Sequence, residues 1–333
     1  MKVGVIGLGY WGPNLVRNFL STEGVDGVVA ADLSDRRLQA AAKKFPGASF
    51  TKDYRDILRS DDIKAVAIAT PVSTHYPLAK EALESDKHVL IEKPMTSKLA
   101  DAEDLVNIAK RKKLTLMVDH TFIYTGAVRK IKELISSGEI GDLHYFDSVR
   151  VNLGLFQHDV NVVWDLATHD ISIMDYLVKA RPVAVAAFGA AHYKHVEDVA
   201  YVIVNFNNGM IAHFHVNWLA PVKVRQILIG GSKKMIVYDD VEPSEKVKIY
   251  DKGVNMTSSE GIYQALIEYR TGDMYSPKID STEALSRLTS HFVECTRESK
   301  KPITDGVSGL NVVKILEAAE KSIKGSGKLI TID

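Results

Sequence analysis

The sequence predicts an α/β protein of two domains: a parallel sheet with crossover helices, then an α+β region with an open, mainly antiparallel sheet. As far as residue 118, short apolar runs alternate with segments of helical periodicity, which is the pattern of right-handed βαβ units. From residue 143 the predicted strands are longer and alternate polar with apolar side chains. We therefore predict domains at 1–121 and 122–333, and leave open whether the last helices pack back on the first domain.

The elements of the first domain follow from apolar runs and from helical spacing. A proline and a glycine at 46–47 end the second helix, and the fully apolar run at 65–69 is typical of a strand buried on both faces. The predicted strands lie at 2–6, 28–31, 65–69, 89–91 and 114–118, and the predicted helices at 14–20, 36–44, 54–58, 75–83 and 100–112.

In the second region the strongest turn signal is Asn-Asn-Gly at 207–209, which joins the strands 199–206 and 210–218 into a hairpin. On the second strand Ala212 and Phe214 share an apolar face, whereas His213, His215 and Asn217 share a mixed face. If the mixed face is exposed, we expect it to be a subunit interface. We predict further strands at 225–229, 234–238 and 246–250, and helices at 126–136, 162–177, 282–299 and 307–324.

The composition excludes several classes of protein. The chain has 333 residues, of which 46% are hydrophobic and 25% charged, so it is able to bury a large core. Its 42 acidic and 42 basic residues balance, which gives no general attraction to nucleic acid or to an anionic membrane. The single cysteine, Cys295, excludes an internal disulfide framework, and no apolar run has transmembrane length. We therefore expect a cytoplasmic protein without nucleic-acid or membrane partners.

The first loop, at residues 7–12, has the pattern Gly-x-Gly-x-x-Gly between a strand and a helix. Such glycines let the backbone approach a pyrophosphate, and the helix N-terminus supplies exposed amides. The alternative is a glycine turn that packs helix on strand without a ligand. The candidate cofactor contacts of this loop are Gly7, Gly9, Tyr10, Trp11 and Gly12.

Asp32 ends the second strand, where a carboxylate can accept hydrogen bonds from the hydroxyls of the adenosine ribose. A carboxylate at this place repels a ribose 2′-phosphate, so we predict NAD as the cofactor. Arg36 and Arg37 follow closely, as solvated helix-start residues or as groups that grip a phosphate, and they leave NADP open.

Two further strand ends lie on the cofactor side of the sheet. Thr70 and Pro71 follow one strand, and His75 opens the next helix; we interpret His75 as a helix-start residue near the cofactor and not as a catalyst. Glu92 and Lys93 end the next strand. A lysine at the carboxyl end of a buried parallel strand can hold a substrate oxygen or exchange a proton with it. The alternative is a solvated strand-end lysine.

A second candidate constellation is Asp165 and His169, which lie four residues apart on one predicted helix. A nearby carboxylate raises the basicity of a histidine, so this pair would serve as a proton acceptor. The alternative is a polar stripe satisfied by hydrogen bonds. No third ligand has the spacing of a zinc site, and we predict no metal. Lys93, Asp165 and His169 together would supply what the interconversion of an alcohol and a ketone needs, with the cofactor accepting the hydride.

The chain resembles the Gfo/Idh/MocA oxidoreductase family over nearly its whole length. The matching motifs occur in the family's order. They are the glycine loop at 7–12, Ala-Thr-Pro at 69–71 with His75, Glu-Lys-Pro at 92–94, Asp165-x-x-x-His169, and the segment 303–310.

The resemblance implies a Rossmann domain and an open-sheet domain that often mediates dimers or tetramers. It also implies that Lys93 orients or protonates the substrate, that His169 with Asp165 is the acid/base, and that the Lys93–Pro94 peptide is cis. The expected cofactor contacts are Gly7, Gly9, Tyr10, Trp11, Gly12, Asp32, Arg37, Thr70, Pro71, His75, Glu92 and Lys93. The expected substrate contacts are Lys93, His120, Tyr124, Arg150, Asn152, His158, Asp165 and His169.

Within the family, the segment 156–161 that leads into Trp164 and Asp165 resembles members that act on nucleotide sugars at C3, both dehydrogenases and ketoreductases. The segment 120–124 departs from the family's pattern and leaves the identity of the substrate open. Two interpretations also remain for four polar residues, which either line the sugar pocket or are ordinary polar residues of sheet edges and loops: Arg150, Asn152, Gln157 and His158. We therefore predict an NAD(P)-dependent oxidoreductase of a nucleotide-linked sugar. The alternatives are a dehydrogenase of a free sugar or inositol, and a dinucleotide-binding regulator without catalysis.

Overall fold

The computed structural model describes residues 1–154, 160–193, 195–257 and 266–332. The chain divides into two compact units. The first comprises Met1–Thr125 and Thr282–Glu317, and the second comprises Gly126–Ser281 and Ala318–Asp333. The segment Thr282–Glu317, which includes most of the last two helices, therefore belongs to the same unit as the N-terminal part of the chain.

The first unit contains a six-stranded sheet in which every pairing is parallel, as predicted. Its strands are β1 (Lys2–Ile6), β2 (Gly27–Ala31), β3 (Ala48–Thr51), β4 (Ile63–Ile68), β5 (His88–Glu92) and β6 (Leu116–Asp119). Their order in the sheet is β3-β2-β1-β4-β5-β6. The order reverses beside β1, so the chain leaves a crevice between the carboxyl ends of β1 and β4, where open sheets of this kind bind their ligands.

The helices of this unit cover the sheet and bury its apolar strands. They are α1 (Gly12–Leu20), α2 (Asp35–Lys44), α3 (Arg55–Arg59), α4 (His75–Glu84), α5 (Leu99–Lys112), α8 (Ala284–Glu298) and the first part of α9 (Gly306–Lys324). Val3, Val5, Ala65 and Val66 have no exposed surface, because a parallel sheet is covered on both faces. The strand β3 was not predicted, because Ser49 and Thr51 interrupt its apolar pattern at the edge of the sheet.

The second unit contains a nine-stranded sheet that is mainly antiparallel, as predicted. Its strands are β7 (Leu143–Leu153), β8 (Pro182–Ala190), β9 (Val199–Phe206), β10 (Ile211–Asn217), β11 (Leu219–Gly231), β12 (Met235–Asp239), β13 (Val247–Tyr250), β16 (Met274–Tyr275) and β17 (Ile330–Thr331), in the order β16-β13-β12-β11-β7-β10-β9-β8-β17. The strands β7 and β10 pair in parallel, and the other described pairings in this sheet are antiparallel. A separate ladder joins β14 (Gly253–Thr257) to β15 (Leu266–Arg270).

The predicted hairpin is present, and its two faces differ as the sequence indicates. The strands β9 and β10 pair across a turn in which Gly209 has φ +84°, a left-handed conformation that glycine adopts without strain. On β10, Ala212 and Phe214 are fully buried, whereas His213 and His215 are half-buried. One face of this sheet therefore packs on the core, as expected for an antiparallel sheet.

The predicted helix at 162–177 begins differently from the prediction. Its first turn, Val163–Ala167, is π-helical, and the α-helix α7 (Thr168–Leu177) follows. The side chain of Asn161 accepts the backbone N–H groups of Val163 and Trp164, and the Thr168 hydroxyl donates to the Trp164 carbonyl. Because side chains compete for backbone groups here, the regular α-helical pattern is interrupted. Such π turns are frequent at functional sites.

The helix α6 (Gly126–Ser136) agrees with its predicted bounds. The Lys93–Pro94 peptide is cis, as the resemblance implied. Among the residues that the structure describes, none of the helices combines the length and the apolar character that a bilayer crossing requires.

Candidate functional site

A cleft of about 810 Å³ opens in the first unit at the carboxyl ends of β1, β2, β4 and β5. The glycine loop after β1 lines it, and so do the residues that follow the other three strands. Predicted cofactor contacts that line it are Gly7, Gly9, Tyr10, Trp11, Asp32, Arg37, Thr70, Pro71, Glu92 and Lys93. The cleft lies where a doubly wound sheet binds a dinucleotide.

The glycines of the loop have separate physical roles. Gly7 has φ +97°, and a Cβ on Gly12 would lie 1.9 Å from the Gly7 carbonyl oxygen, so the loop can close tightly against α1 only with glycine there. A Cβ on Gly9 would meet no protein atom within 4 Å, so Gly9 leaves open space in the cleft. The loop ends at the N-terminus of α1, whose amides favour an anion. These residues fit the pyrophosphate of a dinucleotide.

The side chain of Asp32, directly after β2, is fixed by hydrogen bonds. Its carboxylate accepts the backbone N–H of Leu8 at 2.7 Å and that of Ser34 at 2.8 Å. Arg37 approaches it at 3.5 Å with a half-exposed side chain. Each carboxylate oxygen keeps acceptor capacity beyond these bonds, so Asp32 fits the ribose hydroxyls of NAD. Lys52, which the sequence reasoning missed, also lines the cleft and pairs with Asp35 at 2.7 Å.

His75 connects two of the loops that border the cleft. The ring is 1% exposed, and its Nδ1 lies 2.9 Å from the Pro94 carbonyl oxygen. Its Nε2 lies 2.9 Å from the Thr70 carbonyl oxygen. The ring thus joins the loop after β4 to the loop after β5. This contact fits the interpretation of His75 as a residue near the cofactor and not a catalyst, and its direct contact with the cofactor stays a prediction.

Two carboxyl groups lie side by side where β5 and β6 end. Glu92 and Asp119 are register partners in the sheet, and Glu92 Oε2 also accepts the backbone N–H of Lys93 at 3.2 Å. Burial raises the pKa of Glu92 well above its usual range, and the neighbouring Asp119 adds to this. This shift favours the protonated form of Glu92. Lys93 lies next to this pair and lines the cleft.

His120 follows β6 and is 1% exposed. Among the described residues, neither of its ring nitrogens has a hydrogen-bond partner. Burial, together with the positive charge of Lys93, lowers the pKa of His120 to about 3. The ring is therefore neutral at physiological pH, with one donor and one acceptor available. Its role as a substrate contact stays a prediction.

We expect the burial of His120 to make the folded protein less stable as the pH falls. Its pKa is about 3 in the folded protein and 6.5 as the reference value, so below pH 6.5 the unfolded chain binds the extra proton. Each pH unit in this window then removes up to about 1.4 kcal/mol of unfolding free energy. Urea titrations of wild type and His120→Gln at pH 7.5 and pH 4.5 measure this. The stability of wild type relative to the variant should fall by about 2.5 kcal/mol at the lower pH. An equal difference at both pH values would show that the ring is not held neutral.

Tyr124 is packed into the first unit. It is 3% exposed, its hydroxyl lies 3.1 Å from Thr304 Oγ1, and its ring contacts that of His291. Burial raises the pKa of its hydroxyl. These contacts hold the ring in the core, and its predicted contact with substrate is not tested by them.

In the second unit, Asp165 lies in the π turn and His169 lies in the first turn of α7. Asp165 Oδ2 accepts the indole N–H of Trp218 at 3.1 Å. Trp218, which connects β10 to β11 in the chain, is fully buried. Trp218 therefore fixes the orientation of the Asp165 carboxylate. No local sequence pattern indicates this contact, because the two residues are 53 positions apart. The roles of Asp165 and His169 remain predictions.

The predicted pocket residues of β7 have different environments. Arg150 is 2% exposed and makes a two-pronged hydrogen bond to Asp170, which also accepts the Ser148 hydroxyl. This buried ion pair gives Arg150 a structural role whatever else it contacts. Asn152 Oδ1 is buried and has no hydrogen-bond partner among the described residues. Gln157 and His158 lie outside the described residues.

Two family models match the chain. Residues 1–120 match a model described as the oxidoreductase family with an NAD-binding Rossmann fold, and residues 128–237 match the GFO/IDH/MocA C-terminal domain. Together the two matches cover most of the chain, and both belong to one family.

Individual proteins are similar over almost their full length. A UDP-N-acetylglucosamine 3-dehydrogenase of Acidithiobacillus ferrooxidans is 26% identical, covering 94% of this chain and 94% of that protein. A myo-inositol 2-dehydrogenase of Thermotoga maritima is 24% identical, covering 97% and 96%. The solved structure of a levoglucosan dehydrogenase with NADH and levoglucosan superposes with a TM-score of 0.84 at 21% identity, covering 100% of this chain and 99% of that one. At this identity the structural match supports the fold alone.

Proposed function

Since the chain is an NAD(P)-binding oxidoreductase of the GFO/IDH/MocA family, we propose that it interconverts a sugar hydroxyl and a ketone, and that the sugar is nucleotide-linked and reacts at C3. The observation that carries this proposal is the placement of Lys93. It follows β5 and lines the same cleft as the glycine loop and Asp32. The similarity to a UDP-N-acetylglucosamine 3-dehydrogenase over 94% of the chain supports the class of substrate.

We propose separate roles for the three polar groups. In the direction of oxidation, His169 would take the hydroxyl proton at Nε2 or Nδ1. The residues lining the cleft would hold NAD⁺, which would supply the acceptor for the hydride of the same carbon, so that a ketone, NADH and one proton would result. Lys93 holds the substrate oxygen by its positive charge as the C–O bond gains double-bond character. Asp165, fixed by Trp218, stabilises the imidazolium that forms. In reduction His169 returns this proton to the substrate oxygen, and Lys93 and Asp165 keep the same roles.

Two alternatives remain as separate proposals. The similarity to a myo-inositol 2-dehydrogenase favours a free cyclic polyol as substrate. A regulator that binds a dinucleotide without catalysis would have no need of a lysine in the cofactor cleft. Both alternatives make different predictions from the leading proposal in one assay.

The assay is formation of NADH by the purified protein with NAD⁺ and a panel of substrates. The panel holds UDP-N-acetylglucosamine, its uronate, glucose, glucose 6-phosphate and myo-inositol. We expect turnover on a UDP-sugar and not on the unlinked compounds. Turnover on myo-inositol alone would replace the substrate class. Silence across the panel, and in the reverse direction with NADH or NADPH and a ketosugar, would favour the regulator.

We also propose that the protein is a cytoplasmic homodimer or homotetramer that associates through the open face of the second sheet. On this face Tyr201 is 47% exposed and stacks on His215, with ring centroids 4.5 Å apart. Ile203 and Ile211 are exposed beside it. An aromatic and aliphatic surface of this kind is typical of subunit contacts. Because every copy carries the same face, a two-fold contact pairs it with itself.

Mass measurement in solution tests the assembly. We expect light scattering to give a dimer or tetramer for wild type and a smaller species for Tyr201→Asp, because a charge replaces a stacked ring at the contact. Lys98→Ala, at an exposed position of the first unit, should leave the mass unchanged. A wild-type protein that is monomeric at micromolar concentration would contradict the proposal.

A further inference from the structure

We propose that Asp119 is a positioning residue that fastens the glycine loop across the sheet through the indole of Trp11. The Trp11 Nε1–H donates a hydrogen bond of 2.9 Å to Asp119 Oδ2, although the two residues are 108 positions apart. The inference concerns the binding of NAD and does not depend on which substrate is oxidised.

The position of the two residues in the sheet makes this bond unusual. Trp11 lies in the loop after β1, and Asp119 is the last residue of β6. In the sheet, β4 and β5 lie between these strands. Three interstrand spacings separate β1 from β6, a distance of about 14 Å. The Trp11–Asp119 pair therefore spans the carboxyl ends of β4 and β5, on the side where the cleft opens, and Trp11 lines that cleft.

The glycine loop has two side-chain anchors of this kind. Asp32 accepts the backbone N–H of Leu8 near the start of the loop, and Asp119 holds Trp11 near its end. Trp11 is also the N-cap residue of α1, where its side chain makes no capping hydrogen bond. The Trp11 carbonyl accepts the Asn14 N–H at 2.9 Å, so the indole fixes the position of the turn that opens this helix.

Asp119 is built as a fixed acceptor. It is 1% exposed, its Oδ1 accepts the Thr121 hydroxyl, and its Oδ2 accepts the indole. Glu92 is its register partner, and the two carboxyl groups lie side by side at the ends of β5 and β6. A hydrogen bond to a charged acceptor is stronger than one between neutral groups. A loop that is held in this way before binding loses less conformational freedom when the cofactor arrives, which favours affinity.

A double-mutant cycle on NADH affinity tests the inference. Trp11→Phe keeps the ring and removes the donor, and Asp119→Asn removes the charge of the acceptor. We expect each single variant to bind NADH about tenfold more weakly in calorimetry, and the double variant to bind about as weakly as either single one. Trp164→Phe is the matched control, since it removes an equivalent indole bond to Glu320 in the second unit. Its NADH affinity should equal that of wild type.

The thermal midpoint separates positioning from general stability. We expect the midpoint of Trp11→Phe to stay within a few degrees of wild type while its NADH affinity falls. Wild-type affinity in Trp11→Phe would overturn the inference, and so would a double variant whose loss equals the product of the two single losses. If Asp119→Asn does not fold, Trp11→Phe decides alone, because its change is confined to a half-exposed ring.

Discussion

Replacing Lys93 with alanine should lower kcat about a thousandfold while NADH affinity stays within about tenfold of wild type. The variant loses the positively charged side chain that we propose holds the substrate oxygen, whereas the glycine loop and Asp32 still hold the dinucleotide. Steady-state kinetics on the substrate found in the panel, together with calorimetry for NADH, measure both quantities. A small primary amine added to the variant should restore part of the rate, because the truncated side chain leaves room for it.

The control for this experiment is Lys98→Ala, which removes an exposed lysine a few residues along the same segment. Its kcat should equal that of wild type. A Lys93→Ala protein that keeps turnover within tenfold of wild type would show that Lys93 is a solvated strand-end residue. A wild-type protein that binds NADH and a sugar ligand without turnover, and a variant that binds both equally, would instead support the regulator.

Replacing Gly12 with alanine should weaken NADH binding on the order of a hundredfold and also destabilise the first unit. The new Cβ would lie 1.9 Å from the Gly7 carbonyl oxygen, so the loop has to open before the helix α1 can begin there. Overpacking of this kind costs about 1–3 kcal/mol. For a unit of this size the thermal midpoint should fall by about 3–10 °C. Calorimetry and a thermal melt measure the two effects.

Gly9→Ala is the matched comparison within the same loop. Its Cβ would meet no protein atom within 4 Å, so folding should be unaffected and the thermal midpoint should stay at the wild-type value. Its NADH affinity should still fall, because the methyl group occupies space in the cleft. Equal midpoints for Gly12→Ala and wild type would contradict the role that the structure gives Gly12.

The fold was predictable where the spacing of apolar residues along the sequence directly reflects which faces of an element are buried. The strands β1 and β4 are buried on both faces and read as continuous apolar runs, and the alternation of β10 reports one covered face. The edge strand β3 lacks such a run and was missed. The π turn before α7 was missed for another reason. It depends on hydrogen bonds from the side chains of Asn161 and Thr168 to backbone groups that would otherwise form helical bonds. The spacing of apolar residues does not indicate such bonds.

The candidate site was predictable where residues follow strand ends in sequence. The glycine loop, Asp32 and Lys93 come together because the carboxyl ends of parallel strands share one edge. The partners that fix such residues come from distant parts of the chain. Asp119 bonds to Trp11, which is 108 positions away, and Trp218 bonds to Asp165, which is 53 positions away. For Asp119 a sequence signal was available, because it is an acidic residue at the end of a strand that pairs with the strand ending in Glu92.

The most direct test of the proposed function follows one hydrogen atom. UDP-N-acetylglucosamine carrying deuterium at C3 is incubated with the protein and NAD⁺, and the nicotinamide product is analysed by mass spectrometry. The proposal predicts reduced cofactor that contains the deuterium, together with a 3-keto sugar nucleotide. Reduced cofactor without deuterium would place the oxidation at another carbon, and no reduced cofactor with this or any other UDP-sugar would contradict the assignment of a nucleotide-linked substrate.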